Sequence, residues 1–213
     1  MPVYRLPKDN IFPNPLLAEP DGLLAVGGDL SIERLLLAYS NAIFPWYNKG
    51  EEILWWAPNP RPVLFLDDFK PSKSLLQTIR NKNFEVKFNS DFKSVIENCA
   101  KVKRKGQYDT WITAEMKQAY IKLHKLGYAY SVETYLNNKL VGGLYGVAIG
   151  KVFFGESMFH LVSDASKIAL VYLVDMLKQN NYKLIDVQQK TQLLESFGAK
   201  EIDLQILLDL LKL

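Results

Sequence analysis

Tyr128-Ala129-Tyr130-Ser131-Val132-Glu133-Thr134-Tyr135-Leu136, Lys139-Leu140-Val141-Gly142-Gly143-Leu144-Tyr145-Gly146-Val147-Ala148-Ile149 and Lys151-Val152-Phe153-Phe154 decide the fold. The three runs are rich in β-branched and aromatic residues, and their pattern has a period of two. Asn137-Asn138 and Gly150 separate them and suit tight turns, so they read as a three-stranded meander. Ser163 or Asp164 then opens a helix carrying Ile168, Ala169, Leu170, Val171, Leu173 and Val174. That helix is apolar on nearly every side and is therefore expected to be buried.

Other elements fall on either side. Ser31 caps a helix reaching about Ser40, Lys70 to Arg80 reads as a second, and Phe84 to Phe88 as a strand. Asp91 to Ala100 looks helical, and Thr113 caps a helix that ends at Gly127. Lys183 to Gln188 reads as a strand, Thr191 to Ser196 as a short helix, and Gly198-Ala199 leads into a last strand or helix. Residues 1–62 hold prolines and aromatics that fix turns and extended pieces, with too little mass for an independent core, so they should pack on residues 63–213. The expected class is α+β with an acyltransferase-like sheet.

Composition narrows the function classes. A chain of 213 residues, 48% hydrophobic, can bury a proper core. Its longest uncharged apolar run, Leu140 to Gly150, is far short of the roughly 20 residues a membrane helix needs, and no secretory signal opens the chain. The single cysteine, Cys99, forbids an internal disulfide and fits a reducing cytoplasm. Two distant histidines, His124 and His160, argue against a metal site. From Lys70 to Lys105 there are ten Lys and Arg against three Asp and Glu, on an otherwise acidic chain. Lys73, Arg80, Lys101, Lys103, Arg104 and Lys105 are the candidates for a polyanion-binding face, although a solvated basic surface has the same composition.

Three polar residues interrupt apolar runs: Glu156 in Gly155-Glu156-Ser157-Met158-Phe159, and Asp186 and Gln188 in Asp186-Val187-Gln188. Unpaired in a core, each would cost roughly 1–3 kcal/mol. They are either structural hydrogen-bonders or a site converging on substrate. Period two puts Leu184, Asp186 and Gln188 on one face of the strand, so two polar groups should line one wall. There is no Walker loop and no glycine loop of the kind that grips coenzyme A pyrophosphate, so no cofactor is expected. Gly142, Gly143 and Gly146 are read as letting neighbouring backbone or a ligand approach closely.

Several long runs in order resemble the leucyl/phenylalanyl-tRNA protein transferase family nearly end to end. They are Asp21 to Ser31, Ile43 to Tyr47, Ile53 to Arg61, Thr110 to Thr113, Leu140 to Gly146, Gly155 to Phe159 and Ala165 to Lys167. The resemblance implies a small N-terminal domain, 1–62, packed on an acetyltransferase-like (GNAT-type) domain, 63–213. It also implies aminoacyl-tRNA in place of a coenzyme A thioester, and a monomer is expected. The implied activity is transfer of Leu or Phe, and less well Met, to the α-amine of proteins beginning with Arg or Lys, marking them for proteolysis.

Carried over by position, Trp46 and Trp111 match aromatics that hold the 3′ end of the donor. Leu144, Phe153, Leu170, Leu173 and Ile185 match the amino-acid pocket. In the family scheme Asp186 polarises Gln188, whose carbonyl draws the proton from the amine. Orientation of the amine by Gln188 is physically easier, because a neutral amide is a very weak base. Glu156 is then a candidate for pairing the acceptor amine or its basic side chain. The alternatives are a non-catalytic tRNA- or RNA-binding module and a peptide-bridge ligase of similar fold.

Overall fold

The computed structural model describes residues 3–102 and 110–212, which form two sheets of four and seven strands. The smaller contains β1 (Tyr4–Arg5), β2 (Leu23–Val26), β3 (Phe44–Pro45) and β4 (Leu54–Trp56) in the order β1-β2-β4-β3. The extended pieces expected among the prolines are thus paired strands. Between β2 and β3 lies α1 (Ile32–Ser40), where the Ser31 hydroxyl accepts the Arg34 N–H at 3.4 Å.

The larger sheet begins with β5 (Arg61–Phe65) and continues through α2 (Lys73–Asn81), β6 (Phe84–Phe88), α3 (Phe92–Lys101) and α4 (Ala114–Lys125). The meander follows as β7 (Ala129–Leu136), β8 (Lys139–Ile149) and β9 (Val152–His160). Then come α5 (Ala165–Gln179), β10 (Leu184–Asp186), α6 (Gln192–Ser196), β11 (Lys200–Ile202) and α7 (Leu204–Leu211). Strand order is β11-β5-β10-β9-β8-β7-β6. β9 and β10 run parallel, joined by α5 as the crossover, and the other pairings are antiparallel. The class is mixed α and β.

Three boundaries depart from the sequence reading. The third meander strand does not stop at Phe154 but runs to His160, past a register shift between Tyr145 and Gly146 that keeps β8 and β9 paired. The helix expected from Lys70 begins at Lys73, because Ser72 is its cap and Pro71 disfavours helical geometry before it. The strand expected to reach Gln188 ends at Asp186, whose carboxylate takes the Gln188 N–H at 3.0 Å and turns the chain into the left-handed region, φ 58°.

Each face of the larger sheet has its own core. On one, Phe154 and Tyr145 pack with Phe92, Ile96 and Tyr120 from α3 and α4, continuous with Leu35, Tyr39 and Trp55 of the N-terminal segment. On the other, Val132, Phe153 and Ile185 pack against Ile168, Leu173 and Leu177 of α5. Full burial of each such side chain stabilises by about 1.5–3 kcal/mol. A Cβ at Gly142 would lie 2.5 Å from the Ala165 Cβ, so a bare backbone there lets the start of α5 rest on β8. Protein atoms, not open space, meet the glycines of Gly142, Gly143 and Gly146.

Candidate functional site

A cavity of about 430 Å³ opens where the edge of the small sheet meets the larger one. Phe44, Trp46 and Trp111 form its aromatic side, placed by β3 and by the segment leading into α4. Trp46 is held against Trp56, with ring centroids 5.8 Å apart, and the Trp56 indole N–H donates to the Trp46 carbonyl at 2.7 Å. Leu144, Phe153, Leu170, Leu173 and Ile185 supply an apolar wall from β8, β9, α5 and β10. Glu156, Ser157, Gln188, Gln189 and Thr191 are among its polar members, and Glu156 is the one carboxylate among the described lining residues.

Glu156 sits on β9, 8% exposed. Its Oε1 accepts the Tyr39 hydroxyl at 2.8 Å and the Gln188 Nε2 at 2.8 Å, while Oε2 accepts the Tyr120 hydroxyl at 3.0 Å. The tyrosine oxygens are 2.5 Å apart. Burial pushes the Glu156 carboxyl up to about 7; hydrogen bonds from Tyr39, Gln188 and Tyr120 oppose the rise, and the charge of Asp186 adds to it. Both phenols are raised well above their usual value, first by burial and then by the Glu156 charge.

Asp186 lies elsewhere. It is fully buried, with Arg61 Nε 2.9 Å from Oδ1 and Arg61 Nη2 2.7 Å from Oδ2, and it does not line the cavity. The Arg61 guanidinium also covers the Phe44 ring at 4.6 Å. Ile185 and Val187 are the residues that face the cavity, so the expectation of Asp186 and Gln188 on one wall is corrected. Gln188 reaches the cavity because its backbone is no longer extended, and alternation along a strand does not apply to it.

The cavity therefore brings together Trp46, Trp111, the five apolar candidates, Glu156 and Gln188, and leaves Asp186 behind it. Lys73 and Arg80 are exposed on α2, and Lys101 is exposed at the end of α3. Lys103, Arg104 and Lys105 lie outside the described residues. Sequence reasoning missed Arg61, Tyr39 and Tyr120. Arg61 had a signal, a lone cation opening the apolar run Val63-Leu64-Phe65; the tyrosines had none beyond a polar tip on an apolar helix face. Chemically, the arrangement can enclose an apolar side chain and flat rings while presenting the Gln188 carbonyl oxygen to a donor, since Nε2 is committed to Glu156.

A family model described as leucyl/phenylalanyl-tRNA protein transferase matches residues 63–212, and one described as its N-terminal domain matches residues 28–59. Curated relatives named leucyl/phenylalanyl-tRNA protein transferase cover almost the whole chain. That from Syntrophobacter fumaroxidans is 55% identical over 211 residues, 99% of this chain and 90% of its own length. Those from Thermodesulfovibrio yellowstonii and Flavobacterium johnsoniae are 53% and 52% identical, covering 100% and 99% of this chain and 86% and 99% of their own lengths. Among solved structures, a functionally unknown conserved protein from Staphylococcus epidermidis aligns with TM-score 0.45 and 10% identity, over 85% of this chain and 68% of that one.

Proposed function

This chain belongs to the leucyl/phenylalanyl-tRNA protein transferase family, and from that premise we propose how its cavity performs the transfer. The protein is an aminoacyltransferase that uses charged tRNA as donor and a protein as acceptor. In our reading the transferred residue is Leu or Phe, less well Met, and its side chain occupies the wall of Leu144, Phe153, Leu170, Leu173 and Ile185. Trp46 and Trp111 stack on the 3′ end of the donor, each stacked base contributing roughly 1–3 kcal/mol. The observation that carries this reading is that Gln188, whose amide nitrogen is committed to Glu156, lines the same cavity as the apolar wall.

The reaction is aminolysis of an ester. The acceptor nitrogen attacks the ester carbonyl carbon, a C–N bond forms, and the bond from that carbon to the ribose oxygen breaks. The nitrogen gives up one proton and the departing oxygen takes it up. An α-amine has a reference pKa near 7.7–8.0, so its neutral form is accessible at neutral pH. Most of the task is positioning. Gln188 Oε1 accepts an N–H of the amine and aims its lone pair at the ester. Asp186 fixes the Gln188 backbone, and Glu156 fixes its amide group while its negative charge draws a cationic N-terminus.

The acceptor begins with Arg or Lys, and the product is marked for proteolysis. The protein acts as a cytoplasmic monomer and needs no cofactor. Residues 1–62 are a small domain and 63–213 an acetyltransferase-like one. Lys73, Arg80, Lys101, Lys103, Arg104 and Lys105 meet the tRNA backbone. Transfer of labelled Leu from charged tRNA to an Arg-initiated peptide tests the whole reading. A protein that binds charged tRNA but leaves the peptide unlabelled would overturn it in favour of a binding module.

A further inference from the structure

The Glu156 carboxylate is held from two directions before it holds anything itself. Tyr39 comes from α1 in the N-terminal segment and Tyr120 from α4, and both are fully buried. With Glu156 they close a triangle of oxygens: 2.5 Å between the hydroxyls, 2.8 Å from Tyr39 to Oε1 and 3.0 Å from Tyr120 to Oε2. Two hydroxyls bring two protons to three contacts. Both go to the ionised carboxylate, from Tyr39 to Oε1 and from Tyr120 to Oε2. Oε1 also accepts Gln188 Nε2 at 2.8 Å.

We propose that Tyr39 and Tyr120 are positioning residues for transfer: they lock Glu156 so that it grips the Gln188 amide nitrogen and leaves the Gln188 carbonyl oxygen facing the acceptor amine. Because Tyr39 belongs to α1, docking of the N-terminal segment is part of building the reactive site and not only of covering it. The inference rests on the transferase reading above and deepens it by adding two residues that touch no substrate.

The groups facing Glu156 are few. Tyr39 and Tyr120 contact it, Asp186 on β10 acts on it through space but is neutralised by Arg61 of β5, and Tyr145 on β8 packs edge-on to Tyr120 with centroids 5.7 Å apart. The hydroxyls favour the ionised carboxylate, so their loss should raise its titration midpoint.

Tyr39→Phe and Tyr120→Phe keep the rings that pack on Phe154 and Tyr145 and delete one oxygen each. The carboxyl band of Glu156, assigned by its loss in Glu156→Gln, is followed by infrared titration. We expect its midpoint to move up by about one pH unit in each variant, equivalent to a tenfold shift in the ionisation constant. Turnover should fall about tenfold, with the KM for Phe-tRNA changed less than about twofold. A folded single variant with unchanged midpoint and turnover would overturn the proposal. So would a rise in KM at unchanged turnover. Absence of transfer in the wild-type protein would instead remove the transferase reading, leaving the midpoints to judge the triangle alone.

Discussion

Arg61 and Asp186 form a bidentate ion pair in which neither side chain is exposed, tying the first strand of the large sheet to the strand that precedes Gln188. Removing one partner strands a charge in the core. Arg61→Leu should therefore destabilise the fold by about 3–5 kcal/mol, measured by urea unfolding. Replacing both, Arg61→Leu with Asp186→Leu, should recover much of that loss, because two apolar groups need no partner. Transfer should not recover with it, since the carboxylate that accepts the Gln188 N–H is gone. Equal recovery of stability and turnover would show that Asp186 matters only as the partner of Arg61.

Glu156 gives stability an unusual pH dependence. Its folded value, about 7, lies above the ordinary 4.5, so between them the folded state holds a proton that the unfolded chain releases. Stability from this group is fully present below pH 4.5 and is lost as pH rises through 7. The fall is about 3 kcal/mol across that window. Glu156→Gln removes the slope, so the variant should gain on wild type by that amount between pH 4.5 and 8 in urea melts. A constant difference across the window would mean that Glu156 titrates normally.

Leu144 is 5% exposed on the apolar wall and belongs to the buried cluster that includes Val132, Phe153 and Ile168. Leu144→Trp should fill the cavity and reduce transfer of both Leu and Phe by more than about tenfold, a loss of 1.4 kcal/mol or more. The donor's tRNA body should bind as before. Retained Phe transfer with an intact fold would place the donor side chain outside this cavity.

What could be read beforehand follows from how local each signal is. Ser31 and Thr113 cap their helices through bonds three residues long, and such signals are written in adjacent residues. The meander was equally local, its turns at Asn137-Asn138 and Gly150. The strand Arg61–Phe65 was not, because it pairs with residues more than 100 positions away and prolines flank and enter it. Glu156, Asp186 and Gln188 stood out as polar breaks in apolar runs. Their partners did not, for Tyr39 lies 117 positions from Glu156 and Arg61 lies 125 from Asp186. The division of labour between the two carboxylates depended on one backbone angle, that of Gln188, which alternation along a strand cannot supply.

The exposed cations of α2 and α3 allow a test of the donor-binding face that does not depend on chemistry. Lys73, Arg80 and Lys101 changed together to Gln should weaken tRNA affinity and flatten its dependence on salt, the slope falling by up to about one for each phosphate contact removed. Since these residues do not line the cavity, turnover at saturating donor should be unchanged. An unaltered slope would assign them to ordinary solvated surface.

Gln188 is gripped at two points, its N–H by Asp186 and its Nε2 by Glu156, and the second is the one that sets which amide atom faces the cavity. Turnover should then register Gln188 and Glu156 as a single unit. Gln188→Ala and Glu156→Ala should each slow transfer, and the double variant should be little worse than the slower single. Additive losses would mean that Glu156 acts on the acceptor independently of Gln188. The role of the amide can be separated further by varying the acceptor. If Gln188 orients the amine, wild type and Gln188→Ala should respond equally when the amine pKa is lowered, because the same fraction becomes neutral in both. A sensitivity to amine pKa that emerges only in Gln188→Ala would show instead that the amide takes part in removing the proton, with Asp186 supporting it through the backbone.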